Sequence, residues 1–243
     1  MKSTAAKIAQ NQIGNRTGIE TSATLARELI QGTSESLPSS DGGAEDLAVY
    51  RSQYIEEAFP IGSLPYLPAG TEAEASDEDI ETAVLLDKLS ERLAFERMGT
   101  RLYEALVNKC ETLGEDESEP TLEQLQRIGQ QELNHFLLLQ RVVTDLGCDP
   151  TVQSPSADVA AVASLGILQV VSDPRTSITQ CLQALLTAEL TDSDGWSLLI
   201  SLAENLGYND MVTEFQGALA SEELHVENVR GWLAARTLAE AQG

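Results

Sequence analysis

The sequence predicts an all-α protein built as a four-helix bundle, and three observations carry that expectation. Aromatic residues make up only 5% of the chain, and there are few β-branched runs from which a strand could form. Ala, Leu, Glu and Gln fill long stretches that lack proline, which suits helix interiors. In four of those stretches apolar residues recur at alternating steps of three and four, the seam by which one helix packs on others. At 243 residues, 42% of them hydrophobic, the chain can bury a sizeable core.

Residues 1–75 read as an irregular N-terminal extension and 76–240 as the bundle. In the extension Ser39-Ser40-Asp41-Gly42-Gly43 and the Pro- and Gly-rich run from Pro60 to Gly70 break any helix. Ser22 to Ile30 and Ala44 to Phe59 are expected to be helical. The extension either wraps the bundle or joins subunits, or it is a disordered tail.

The first bundle helix starts at Ser76, with Asp79 three residues on, and runs to Leu113. Its seam is Leu89, Leu93, Glu96, Thr100, Tyr103, Val107 and Cys110, in which Glu96 is the only charge. After an acidic loop, Thr121 and Gln124 form a capping box that opens the second helix. That helix ends near Gly147 and carries Leu125, Ile128, Glu132, His135, Leu139, Val142 and Leu146 on its seam. The connection to the third helix is too long for a tight turn, and its apolar stretch from Ala157 to Val171 predicts a crossover with a short helix of its own. Ser177 with Gln180 marks the third helix, whose seam includes Leu185, Glu189, Asp192, Trp196 and Leu199. Gly207 and Asn209 separate it from the fourth, with Phe215, Ala218, Glu222, His225, Val229 and Trp232 on its seam and an end near Thr237.

The two halves match in register. Glu96 and Glu189 are each followed 17 and 18 residues later by Leu-Gly, and Tyr103 and Trp196 each lie seven residues after their glutamate. This reads as a duplicated helical hairpin.

The chain has only two histidines, and each stands three residues after a glutamate, in Glu132-Leu133-Asn134-His135 and Glu222-Glu223-Leu224-His225. With Glu96 and Glu189 they make six ligand-type side chains on four core-facing seams. Burying them bare is very costly, since an isolated ion loses several kcal/mol of solvation. Four carboxylates and two neutral imidazoles are balanced by two divalent cations. Carboxylate-bridged metals lie ~3.5–4 Å apart in such sites. An oxygen-rich shell with one imidazole per metal favours iron or manganese over zinc.

The pattern of a glutamate, a Glu-x-x-His, a long crossover, a second glutamate and a second Glu-x-x-His resembles the ferritin-like di-iron carboxylate superfamily, and within it the bacterioferritin and rubrerythrin type. The resemblance spans roughly residues 80–238. It implies a ferritin-like bundle with Glu96 and Glu189 as terminal carboxylates, Glu132 and Glu222 as bridges, and His135 and His225 as nitrogen ligands, all six lying in the catalytic centre. The crossover and extension are also similar to bacterial ferritin-like proteins without an agreed activity. The chain lacks the paired Cys-x-x-Cys of a rubredoxin module, and its second helix has no Met to serve as a haem ligand. No haem is expected, nor a ferritin-type cage, because the fifth helix of cage-forming ferritins is missing.

Three further seam residues have open roles. Asp192 is expected to orient a ligating imidazole, to act as an extra ligand or to meet solvent. Tyr103 and Trp196 either carry electrons or fill the core. Glu223, off the seam, reads as a surface residue.

The expected function is oxidation of Fe(II), or reduction of O2 or peroxide, at two irons or an iron and a manganese, with an electron donor not named by the sequence. The alternatives are an oxygenase or oxidase acting on an organic substrate and a non-catalytic metal-binding scaffold. The net charge of −24 excludes a nucleic-acid binder; such a surface either draws cations or simply keeps the protein soluble. Cys110, Cys148 and Cys181 show no paired spacing, and no signal peptide, transit peptide or membrane span is evident, so a cytoplasmic homo-oligomer, a dimer by preference, is expected.

Overall fold

The computed structural model describes residues 44–58, 61–62, 77–113 and 120–242. Among these it has six helices and no strand, as the seams predict. They are α1 (Ala44–Glu57), α2 (Asp77–Leu113), α3 (Leu122–Asp145), α4 (Pro155–Ser172), α5 (Ile178–Asn205) and α6 (Asn209–Gln242). The expected helix from Ser22 to Ile30, the Ser76 cap and the acidic loop lie outside the described residues, Pro120 excepted.

Caps set the helix boundaries. Thr121 Oγ1 accepts from the Gln124 amide at 3.3 Å while Gln124 Oε1 accepts from the Thr121 amide at 2.7 Å. Ser177 and Gln180 repeat the exchange at 3.2 and 2.9 Å, so both expected capping boxes form. α3 and α5 each end on a left-handed glycine, Gly147 at φ 76° and Gly207 at φ 80°. In each case the next residue reaches back across the helix end, Cys148 N–H to the Val143 carbonyl and Tyr208 N–H to that of Ala203. α6 runs on to Gln242, five residues beyond the expected end near Thr237.

The crossover helix α4 is gripped at both ends by α2, which fixes the path of the chain. At its start the Asp87 carboxylate accepts from the Ser156 amide at 2.9 Å and its hydroxyl at 2.6 Å. Beyond its end Lys109 Nζ donates to the Asp173 carbonyl at 2.7 Å and to Thr176 Oγ1 at 2.6 Å. The helix therefore runs parallel to α2 and delivers α5 to the far end of the molecule. Its inner face, Ala157, Ser164 and Val171, is buried, whereas Val159, Val162 and Leu165 face out. Among the described residues only α4 is long and apolar enough to cross a membrane by length and composition, although Ala157, Ser164 and Val171 are buried against the protein.

Little of the extension is described. Residues 47–56 of α1 are all exposed, while Gly62, at φ 107°, lies so close to the Gln153–Pro155 backbone that a Cβ would meet it at 2.8 Å.

Two apolar clusters make up the core. One holds Leu85, Leu89, Leu93, Leu139, Val142, Trp196, Leu199 and Phe215; the other holds Leu102, Tyr103, Leu106, Leu125, Ile128, Leu182, Leu185, Val229 and Trp232. On each of α2, α3, α5 and α6 the residues of the first cluster and most of the second flank a buried Glu or a Glu–His pair. A polar layer thus lies between two apolar ones.

Candidate metal centre

Each of the four helices places its polar seam residues in that layer, and the structure brings all six predicted ligands together. They form two groups of four, Glu96, Glu132, His135 and Glu222 in one, Glu132, Glu189, Glu222 and His225 in the other, and within each group the ligand-type atoms lie within 4.8 Å of one another. Glu132 and Glu222 belong to both. All six residues are at most 7% exposed, so water does not solvate their charge.

The contacts inside the layer are close, but between the imidazoles and the carboxylates only His225 Nδ1 with Glu222 Oε2 is a hydrogen bond. His135 Nδ1 lies 2.6 Å from Glu222 Oε1 and 3.7 Å from Glu96 Oε2. His225 Nδ1 lies 3.1 Å from Glu132 Oε1, 3.1 Å from Glu222 Oε2 and 3.6 Å from Glu189 Oε2. Nevertheless Glu96 Oε2, Glu132 Oε1, His135 Nδ1, Glu189 Oε2 and Glu222 Oε1 have no hydrogen-bond partner. Buried polar atoms left unsatisfied cost free energy. Donor atoms that crowd one another without bonding suit cations between them, and these buried Glu and His groups could hold metal.

Electrostatics agree. Burial pushes the Glu132 carboxyl well above the usual range, and neighbouring Glu222, Glu189 and Glu96 add to it. Burial likewise raises Glu189. Burial would lower both imidazoles, but their carboxylate partners prevail and push His135 up to about 10 and His225 to about 12. Glu222 is also disfavoured as an anion by burial, yet contact with both histidines holds it down to about 2. Without metal, protons do the neutralising.

Tyr103 and Trp196, read as core aromatics or electron carriers, are buried and also hydrogen-bonded to the centre. Tyr103 donates its hydroxyl to Glu189 Oε1 at 2.5 Å, and Trp196 donates Nε1–H to Glu96 Oε1 at 2.7 Å. Each aromatic therefore holds the lone glutamate of the opposite half, an exchange expected of a duplicated hairpin. Trp196 also stacks edge-on with the His135 ring at 5.7 Å.

Asp192 is buried, which excludes the solvent-facing reading, and its ion-pair partner is Arg92 at 3.3 Å rather than an imidazole. It belongs to neither ligand group. Glu96 is the only charge on its own seam, but a buried cation lies beside that seam. Arg92, one turn before Glu96, is 5% exposed and places Nε 3.7 Å from Glu96 Oε1. Glu223 is exposed, as expected.

Sequence reasoning missed three other contributors. Gln131 Oε1 lies 3.1 Å from His225 Nε2; with the proton on Nε2, that contact leaves Nδ1 free to face the carboxylates. Gly99 clears space for Glu132 Oε2, and Gly195 clears space for the Arg92 guanidinium; a Cβ at either glycine would collide with those atoms. A surface groove of about 410 Å³ between α2 and α3 is floored by Tyr103 and Gly129 and rimmed by Thr100, Glu104, Asn108, Gln126 and Gln130. Tyr103, whose hydroxyl touches Glu189, and the apolar Val107, Leu125 and Leu133 are among its lining residues.

The fold and site define an all-helical protein with a buried carboxylate and histidine cluster fit for metal. Compared with protein-family models, with curated proteins and with solved structures, the chain gives no match.

Proposed function

We propose that the chain is a ferritin-like dinuclear carboxylate protein, with α2, α3, α5 and α6 as the four-helix bundle and α4 as its crossover, that oxidises Fe(II) or reduces O2 or peroxide. The observation that carries this reading is the sharing of Glu132 and Glu222 between two groups that each end in one terminal Glu and one His. Two separate sites would not share side chains. Two divalent ions offset four carboxylates, and iron, or iron with manganese, supplies redox chemistry that no side chain here can perform.

The residues have distinct tasks. Glu96 and Glu189 hold the outer sides, and Trp196 and Tyr103 fix their carboxylates by donating to Oε1. His135 and His225 offer Nδ1, with Gln131 steadying the second ring. Leu139, Trp196 and Phe215 on one side, and Leu185 and Val229 on the other, exclude bulk water.

Anaerobic loading with Fe(II) followed by air tests the reading. The expected result is about two irons per chain and prompt growth of a near-ultraviolet ferric band. Slow colour without fixed stoichiometry would instead make the cluster a structural metal site. Loss of paired binding in Glu132→Ala and Glu222→Ala is expected; two tightly held ions in either variant would refute the bridging roles.

A further inference from the structure

We propose that the Arg92–Asp192 pair makes the two metal positions unequal, so that the position framed by Glu96 and His135 takes its divalent ion after, and more weakly than, the position framed by Glu189 and His225. This rests on the dinuclear reading above and goes further by ordering the two halves.

The duplicated register shows what is asymmetric. Aligning Glu96 with Glu189 pairs Tyr103 with Trp196, but it pairs Arg92 with Leu185, Asp192 with Gly99 and Gly195 with Leu102. The ion pair, which joins the two halves, and the glycine beside it therefore have no counterpart at the equivalent positions.

The geometry shows which half they act on. Arg92 is clamped by Nη1 contacts of 3.3 Å to both the Asp192 carboxylate and its backbone carbonyl. Its guanidinium carbon lies 4.2 Å from the Phe95 ring centre, and it occupies the space that a side chain at Gly195 would need. Thus held, its Nε lies 3.7 Å from Glu96 Oε1, too far to hydrogen-bond but within ion-pair reach, and that oxygen already accepts the Trp196 N–H. Glu96 thus meets a neutral donor and a cation on one oxygen and has only Oε2 left for metal. Glu189 meets a neutral donor, Tyr103, and among the described residues has no Arg or Lys as an ion-pair contact. A guanidinium in a buried layer lowers the charge that Glu96 can give to a metal and repels the incoming ion. Asp192 offsets part of that repulsion, but the positive end of the pair is the one turned to Glu96.

The test is anaerobic titration of the metal-free full chain with Co(II), followed by calorimetry and by visible absorption. Wild type is expected to bind one ion and then a second at least about tenfold more weakly. His225→Ala should remove the tight step, whereas His135→Ala should spare it. Removing Arg92 alone would strand Asp192 in the core, so the folded control is Arg92→Met with Asp192→Leu, since apolar replacement of a buried pair is often tolerated. In that variant the two affinities should come within about threefold of each other, the tight one unchanged. Equal affinities in wild type, the same gap in the double variant, or a tight step lost with His135 would overturn the inference and leave the dinuclear reading standing. Failure of wild type to bind any Co(II) would overturn both.

Discussion

Replacing Gly99 with Ala separates the metal centre from the fold that carries it. Gly99 lies three residues after Glu96 on α2, where a Cβ would overlap Glu132 Oε2 and come within 3.1 Å of Cδ and 3.6 Å of Cγ. The obstacle is the end of a flexible side chain, so the carboxylate gives way by roughly 1 Å, the distance needed to restore ordinary contact. A metal–oxygen bond of ~2.0–2.2 Å tolerates only about 0.2 Å of error, so the shifted oxygen leaves coordination. Because Glu132 is common to both groups, one methyl disturbs both positions.

The helix itself gains from the change, since Ala is favoured over Gly in a helix interior by about 1 kcal/mol. Metal-free Gly99→Ala should therefore melt no lower than wild type. With metal at about 100 times Kd for each position, wild type gains about 5 kcal/mol, or roughly 10–20 °C in Tm for a chain of this size. The variant should lose most of that gain. Melting curves with and without Mn(II), together with metal content after desalting, measure both effects. Retention of two ions and the full gain would refute the placement of Glu132; a metal-free form several kcal/mol less stable would show that Gly99 serves packing instead.

Four further outcomes are expected. Trp196→Phe leaves Glu96 Oε1 without its N–H donor and should cost the metal-free protein about 1–3 kcal/mol, read from urea unfolding. Gln131→Leu removes the acceptor beside His225 and should weaken metal binding about 10- to 100-fold with little change in metal-free stability, checked by titration and melting. Lys109→Met deprives the α4–α5 turn of its shared donor and should lower stability by about 1–3 kcal/mol while metal stoichiometry stays unchanged. Metal affinity should rise with pH between 6 and 8: His135 and His225, pushed up to about 10 and about 12, and Glu132, held high by burial, carry protons in the metal-free form that a bound cation must displace. Calorimetry in buffers of different ionisation enthalpy reads the protons released, and an affinity independent of pH would contradict that picture.

The six ligand-type residues were legible in the sequence because each breaks a rhythm that is otherwise apolar but for Thr100 and Asp192. A Glu three residues before a His on such a seam puts both on one face, and four seams in one small protein have few ways to pack except against each other. The caps were equally legible, since Thr121–Gln124 and Ser177–Gln180 act within one turn of chain. What remained hidden depends on contacts between helices. Arg92 lies beside Leu93, at a position that periodicity reads as the edge of a seam, and it is buried because Gly195, on another helix, leaves it room.

Asp192 was ambiguous for the same reason: its seam position announced burial, but its partner on α2 had no mark in the pattern. Glycines at 99 and 195 act by the side chain they lack, and hydrophobic periodicity records only side chains that are present. The duplication offers a remedy. Where two halves share a register, positions at which they differ stand out against those at which they agree, and Arg92 against Leu185, Gly99 against Asp192 and Leu102 against Gly195 are three such differences around the centre. Symmetry accounts for the paired ligands, and the departures from it are where the two halves can acquire different work.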